Sequence, residues 1–438
     1  MAIERSDREV VRMSSKFLVW AMAANLLVLA ASTSFGQSAR LVNLDFTPIC
    51  ASADGSVVLG SRYELGCSTA CALQICRWTA ATGTEIITTT PDGANGPITA
   101  QDCSSDGSVF VGLWRDQSTR RWYRWANGVF EVYGEIRSPF SIDDAVVVSG
   151  DGRVVYGVKP GQTDFFRWEL GGAEVLLPRW TADQAYVSIG DTSHDGSTFV
   201  ARGRSSLTNG YDRTLRYRAS QGWVLLPNRV GGTNTLVYAQ PRCTADGSVV
   251  VGESWLHGVR WNEAGEVTDL GLPAGVSLAF PSGISSNAAK VVMNEVVVVN
   301  GFPNIRNGLI WDSANGTRWL RDAMLNDHGL VIPSGVLYVR TISADARTFL
   351  AAIEGTWFLI VIDPPCPADV DNDGDFSNGG THDGGVTIDD LLYFLIGFEA
   401  GSVAVDLDND GDPAVGTPDG AVTIDDLLFF LAHFEAGC

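Results

Sequence analysis

The sequence predicts an all-β body followed by a small α-helical, calcium-loop module, on three observations. Ser-x-Asp-Gly turns followed by Val-rich runs recur through the first 365 residues. Residues 366–438 hold 16 Asp or Glu and no Lys or Arg. Within that acidic stretch, one unit of alternating Asp followed by an apolar helical pattern is written twice. Of the net charge of −21 over 438 residues, the body carries only −5. It has no basic patch, and nucleic acid is set aside as a partner.

The first element is a leader. Phe17 to Ala31 is an apolar run with Lys16 before it and small residues at Ser34 and Gly36. This predicts a secretory signal peptide over 1–36, cleaved near Gln37, with Met13 offering a second start. The run is at the short end for a membrane span, and no later segment is long and apolar enough to be one.

The body, 37–363, follows. Its turn motif starts at Ser52, Ser104, Ser149, Ser193, Thr244, Ser285 and Ser343, a spacing of 41 to 58 residues. Five copies carry Asp-Gly; the last two read Asn287-Ala288 and Asp345-Ala346. Gly reaches positive φ and Asp bonds the local backbone, so each copy is a tight hairpin turn. The Val-rich run behind it is a buried strand. Arg77-Trp78, Arg124-Trp125, Arg167-Trp168, Arg216-Tyr217, Arg260-Trp261, Ile310-Trp311 and Thr356-Trp357 mark a second strand. A third follows in most copies, as at Glu266–Leu270, and residues before each Ser supply a fourth. Four strands per 40–50 residues is the period of a β-propeller blade. Copy seven lacks its last strand, and Arg40-Leu-Val-Asn-Leu44 near the start supplies it. The prediction is a ring of seven blades closed by the two chain ends, with an open β-solenoid or sandwich array as the alternative. Each recurring Trp is expected in blade core, with each Arg bonding a neighbouring blade.

This part resembles the extracellular HAF repeats, through the Ser-x-Asp-Gly-Ser-Val-Val-Val-Gly core best seen at Thr244–Gly252. The resemblance implies a secreted β-repeat domain and brings no activity with it.

The last element, 364–438, is the acidic module. Alternating Asp on a turn with Gly converges oxygens on one point and suits Ca²⁺. The proposed ligands are Asp369, Asp371, Asp373 and Asp390 in the first copy and Asp406, Asp408, Asp410 and Asp426 in the second. After each loop, Ile388, Leu391, Leu392, Leu395 and Phe398, and Ile424, Leu427, Leu428, Leu431 and Phe434, repeat at helical spacing. Thr387 and Thr423 are expected to cap those helices and Gly401 and Gly437 to end them. The first-turn acids Asp389-Asp390 and Asp425-Asp426 also suit the helix dipole without any metal. The module resembles a dockerin of the bacterial kind that ends in Gly-Cys, through Asp369-x-Asp371-x-Asp373-Gly374, Asp406-x-Asp408-x-Asp410-Gly411, the duplication and Gly437-Cys438. The resemblance implies two calcium loops, a pseudo-twofold pair of helices, and docking to a cohesin or cell-surface component. Two departures stand out. Each loop carries an insertion of about ten residues relative to a 12-residue calcium loop. Ile388-Asp389 and Ile424-Asp425 occupy the places where a dockerin's recognition Ser-Thr pairs usually sit.

Eight cysteines in an exported chain favour disulfides. A Cys366–Cys438 bridge would close the module, and the Cys67/Cys71/Cys76 cluster is expected to pair with Cys50 or Cys103. Catalysis finds little in the residues. The repeated Asp are turn residues, no Gly-x-Ser-x-Gly elbow accompanies the five His, and no sialidase-type arginine triad stands out. The reading is therefore a secreted, non-catalytic binding propeller, with carbohydrate as its candidate ligand, tethered by its calcium module. A secreted glycoside hydrolase delivered by the same module is the alternative.

Overall fold

The computed structural model describes residues 38–63, 73–88, 98–116, 119–136, 146–159, 164–209, 211–229, 239–299, 302–364, 366–370, 386–407, 418 and 420–436. The leader lies outside them. Residues 39–364 form one compact unit, and residues 365–438 belong to another. Among the described residues no helix is long and apolar enough to cross a membrane.

The body is a seven-bladed β-propeller: seven four-stranded antiparallel sheets. Blades one to six run strand by strand through 47–88, 98–135, 146–176, 186–225, 242–269 and 279–319. Blade seven contains three strands from 337–362, and its outermost strand is Ala39–Leu44, paired antiparallel with Thr356–Ile362 from Ala39↔Ile362 to Leu44↔Trp357. The closure expected from Arg40–Leu44 is therefore present. The chain start pairs the edge that the chain end would otherwise leave bare.

The repeated turn explains itself atom by atom. The Ser52 hydroxyl donates to Asp54 Oδ1 at 2.6 Å and accepts the Val57 N–H at 2.9 Å, while Asp54 Oδ1 also accepts the Ser56 N–H at 3.0 Å. Gly55 sits at φ 70°, and a Cβ there would lie 2.2 Å from Thr348 Oγ1 of blade seven. The glycine thus serves both the turn and the close approach of adjacent blades. In blades six and seven Ala288 and Ala346 hold the same left-handed conformation without glycine, at φ 56° and 65°.

Neighbouring turns are bonded to one another. Ala53 N–H donates to Ser105 O at 2.6 Å, Ser105 N–H to Gly150 O, Asp151 N–H to His194 O, and His194 N–H to Ala245 O at 2.6 Å. Ser286 N–H donates to Ala344 O, and Ala344 N–H to Ala53 O, each at 2.8 Å. Aliphatic and aromatic side chains of facing sheets fill the spaces between blades, as where Val111, Trp122, Val148, Val155, Phe166 and Trp168 meet. The Arg-Trp pairs divide as expected in several blades: Trp168 and Trp261 are buried, Arg124 bonds Gly152 O, and Arg216 bonds Asn262 O and Glu263 O of the next blade. A helix absent from the sequence reading, α1 (Leu320–His328), follows blade six. It buries Leu320, Ala323 and Met324 against blade seven and ends on Gly329 at φ 64°.

The cysteine expectation needs correction. Cys50 and Cys103 pair with each other, joining the inner strands of blades one and two, and Cys76 is a buried free thiol. Sequence separation hid this, because only the packing of one blade on the next sets those strands side by side. Cys67 and Cys71 lie outside the described residues. Cys366 is disulfide-bonded; Cys438 is also outside them.

In the C-terminal unit, α2 (Ile388–Ala400) and α3 (Ile424–Ala436) are the two expected helices. Thr387 Oγ1 accepts the Asp389 N–H and Thr423 Oγ1 the Asp425 N–H, and Gly401 ends α2 at φ 63°. The buried face takes in only part of the expected set, with Leu391, Phe398, Leu427 and Phe434 packed against it. Phe394 and Phe430 form its centre, stacked with centroids 4.2 Å apart, while Ile388, Leu392, Leu395, Ile424, Leu428 and Leu431 are exposed. The stacked rings of Phe394 and Phe430 turn the helices so that Leu391, Phe398, Leu427 and Phe434 flank the core and the other expected residues face outward.

Candidate functional site

The antiparallel order sorts the propeller's connections by face. The repeated Asp-Gly turns and the third-to-fourth-strand turns share one end. The connections between second and third strands, and between blades, share the other. The first set is short and uniform. The second runs from Trp255-Leu256 alone to the 17 residues between Trp319 and Leu337.

Between the faces runs the central channel, a cavity of about 430 Å³ lined by the innermost strands. Two positions before each turn Ser or Thr, the seven blades place Cys50, Asp102, Val147, Asp191, Arg242, Gly283 and Thr341, all on the channel wall. The turn repeats; this ring does not. In five blades the inner strand carries a bulge just before the position, between Pro48/Cys50, Ala100/Asp102, Ile189/Asp191, Pro281/Gly283 and Val339/Thr341. A bulge re-aims the side chains around it.

Asp102 and Asp191 hold equivalent places in blades two and four. Asp102 Oδ2 accepts the Val148 N–H at 2.9 Å, and Asp191 Oδ2 accepts the Cys243 N–H at 3.1 Å, each from the following blade. Asp191 Oδ1 also takes the Thr192 N–H at 2.8 Å. Burial first, and the Asp191 charge second, push the Asp102 carboxyl up to about 7. Burial also raises Asp191, against the pull of Arg242. Burial raises the free Cys243 thiol well above its usual range. Arg242 Nη1 donates to Gly190 O, and Arg340, on blade seven, donates through Nε to Ile49 O.

At the turn end, the second residue of each motif forms the mouth: Ala53, Ser105, Gly150, His194, Ala245, Ser286 and Ala344. Six are small. The His194 ring reaches past Gly150, where a Cβ would meet Nδ1 at 2.4 Å, to hydrogen-bond the Ser105 hydroxyl at 3.1 Å. Ser and His therefore meet, but among the described residues no carboxylate bonds the imidazole, so the pair lacks the third member of a hydrolytic triad. The sequence concealed this pair because it joins blades two and four across a glycine. Two further histidines stand apart from this pair: His257 bonds Asp269 at 3.1 Å, and His433 lies 2.9 Å from Phe429 O.

In the C-terminal unit, Asp369, Asp390, Asp406 and Asp426 are all buried. Asp390 accepts the N–H of Val370, which follows Asp369, at 2.7 Å, and that of Thr387 at 2.7 Å. The second copy repeats this: Asp426 accepts from Leu407, which follows Asp406, at 2.6 Å, and from Thr423 at 2.7 Å. First and last acids of each loop are thus brought together across 20 or so residues. Asp371, Asp373, Asp408 and Asp410 lie outside the described residues, as do the neighbouring Asp375, Asp383, Asp412 and Asp419. Among the described residues no group of three His, Cys, Asp or Glu is arranged for a metal. The residues present fit a cation nonetheless, since buried carboxylates need compensation and the module has no Lys or Arg to provide it.

No family model matches the sequence, and no curated protein matches it. Among solved structures, the chain is similar to a streptogramin B lyase (12% identity, 74% of this chain and 98% of that one, TM-score 0.47). It is also similar to virginiamycin B lyase from Staphylococcus aureus (12%, 74% and 99%, TM-score 0.46). TolB from Acinetobacter baumannii is 18% identical over 52% of this chain, with a TM-score of 0.35, and the chain spans about half (53%) of its length. At such identities these are likenesses of fold, and they carry no activity over to this chain.

Proposed function

We propose that the chain is a secreted, non-catalytic binding propeller, tethered to a surface or partner through a calcium-dependent, dockerin-like module. The observation that carries the reading is the split between repeated and unrepeated positions. Every turn that builds the ring recurs, whereas the channel ring and the connections of one face differ from blade to blade. Architecture repeats because each blade solves the same packing problem; recognition has no such reason to repeat. A carbohydrate ligand on the variable face agrees with this division. A leader over 1–36 and a disulfide at Cys50–Cys103 support export to an oxidising compartment.

For the tether, the support is the exposed apolar stripe on α2 and α3. Ile388 and Ile396 are 57% and 58% exposed, and Ile424 and Leu428 are 59% and 57%. Two helices presenting matched stripes suit a protein partner with an apolar surface, in place of the Ser-Thr pairs of a dockerin. Bound calcium would neutralise the buried Asp of each loop and so let both helices dock on their shared Phe core.

One observation favours the hydrolase reading. Asp102 and Asp191 are two interacting carboxyls in a deep channel, one of them holding its proton near neutrality, as an acid–base pair requires. Both, however, already accept backbone N–H groups of the next blade. The test is to incubate the full chain with a polysaccharide panel, with and without EDTA, and measure binding and turnover separately. Binding without turnover is expected. Turnover that vanishes in both Asp102→Asn and Asp191→Asn would replace the binding reading with the hydrolase.

A further inference from the structure

We propose that the central channel binds a small zwitterion, with its ammonium against Asp102 and Asp191 and its anionic group on Arg340. The inference rests on reading the body as a binding domain, and it identifies the ligand of the channel as distinct from that of the variable face.

Joining inner strands of adjacent blades needs an acceptor for a backbone N–H, and neutral amides meet that need elsewhere in the same channel. Gln101 Oε1 accepts the Val146 N–H at 3.0 Å, and Asn294 Oδ1 accepts the Val339 N–H at 2.8 Å. Asp102 and Asp191 do the same work as carboxylates, at a desolvation cost that an amide avoids. Arg242 offsets Asp191, and Asp102 lies farther from full compensation. Across the ring, Arg340 is half-buried on the channel wall. Its Nε bonds Ile49 O, and its two terminal nitrogens have no partner among the described residues. A guanidinium fork left open in a cavity suits a carboxylate or phosphate.

The acids sit on blades two and four and the open guanidinium on blade seven, which faces blade four across a seven-membered ring. The channel is therefore dipolar across its width. Val147, Phe280 and Tyr338 add apolar wall between the charged groups. The volume of about 430 Å³ is near the small end of ligand pockets, which run from roughly 300 to 1,000 Å³. A free α-amino acid has the two charges, the size and a side chain for that wall.

The experiment is calorimetric titration and thermal shift of the full chain at pH 8 with glycine, L-leucine, L-phenylalanine and L-glutamate, each alone. n-Propylamine and propionate serve as single-charge controls. At least one amino acid should bind, and each control should bind at least about tenfold more weakly, as expected for one lost charged hydrogen-bond partner. Arg340→Gln and Asp102→Asn should each weaken the amino acid by about tenfold or more. Asp102→Asn keeps an acceptor for the Val148 N–H and so preserves the blade contact; should it fail to fold, Arg340→Gln decides alone. Binding should also tighten from pH 6 to pH 8 as Asp102 ionises, with Asp191, Arg242 and the mouth residue His194 as its charged or titratable neighbours. No binding by any amino acid overturns the proposal, as does propylamine binding that equals the amino acid's and ignores Arg340→Gln. Polysaccharide binding that survives these variants would leave the binding-domain reading standing while the channel proposal falls.

Discussion

Breaking the Cys50–Cys103 bridge should destabilise the propeller by about 4 kcal/mol. The bridge closes a loop with a sequence separation of 53 residues. In the loop-entropy treatment, a loop of that length removes about 14 cal/mol/K from the unfolded chain, or about 4 kcal/mol at 25 °C. Spread over the unfolding entropy of the 39–364 unit, this is a fall of roughly 6 °C in Tm. The buried free thiols Cys76 and Cys243 are both raised by burial, so neither supplies a thiolate to reshuffle the bridge near neutral pH. The assay is calorimetric melting of the wild type and of the Cys50→Ala, Cys103→Ala double variant, each with and without dithiothreitol. The reductant should lower the propeller transition of the wild type and leave that of the variant unchanged. Equal transitions for oxidised wild type and variant would refute the reasoning, because they would show that the packing of blade one on blade two already holds the two inner strands together without the bond.

Other outcomes follow from the same structure. Gly55→Ala should cost about 2–4 kcal/mol, combining a left-handed alanine with a clash against Thr348. Gly83→Ala, at φ 67° with nothing within 4 Å, should cost only about 1–2 kcal/mol; urea unfolding of both variants checks the difference. The Asp102 carboxyl is raised from an ordinary 3.8 to about 7, so between those values the folded state binds more protons than the unfolded one. Stability should therefore fall as pH rises from 4 to 7, by at most about 1.4 kcal/mol per unit, and Asp102→Asn should flatten that slope. Below pH 4 the trend reverses for the turn carboxylates. Asp54 and Asp106 are held below their ordinary range: burial alone would raise them, but the hydrogen bonds of each turn outweigh it, so their contribution is lost as pH falls through the lowered values. In the module, titration should find two Ca²⁺ sites within 366–438, and Asp371→Ala with Asp408→Ala should abolish tight binding. Circular dichroism of the full chain that ignores EDTA would count against the calcium assignment.

The sequence by itself determined the local devices. Ser-x-Asp-Gly turns, Val-rich strands and their period can be read from neighbours a few residues apart, because hydrogen bonds such as Ser52–Asp54 form within the turn itself. Counting those turns, and noticing the orphan strand near residue 40, was enough to predict the seven-bladed ring. The capping of α2 by Thr387 was legible for the same reason. Tertiary structure decided what depends on how blades and helices pack against one another. Packing of one blade on the next set Cys50 beside Cys103, and the curvature of the ring brought Ser105 to His194 and lined the channel with Asp102, Asp191, Arg242 and Arg340 from blades far apart in sequence. No local signal marks these residues, since each sits in an ordinary strand or turn. In the C-terminal unit, helical spacing marked more apolar positions than two helices can bury; the stacking of Phe394 on Phe430 set the rotation of each helix, which kept Leu391, Phe398, Leu427 and Phe434 against the core and left Ile388, Leu392, Leu395, Ile424, Leu428 and Leu431 exposed.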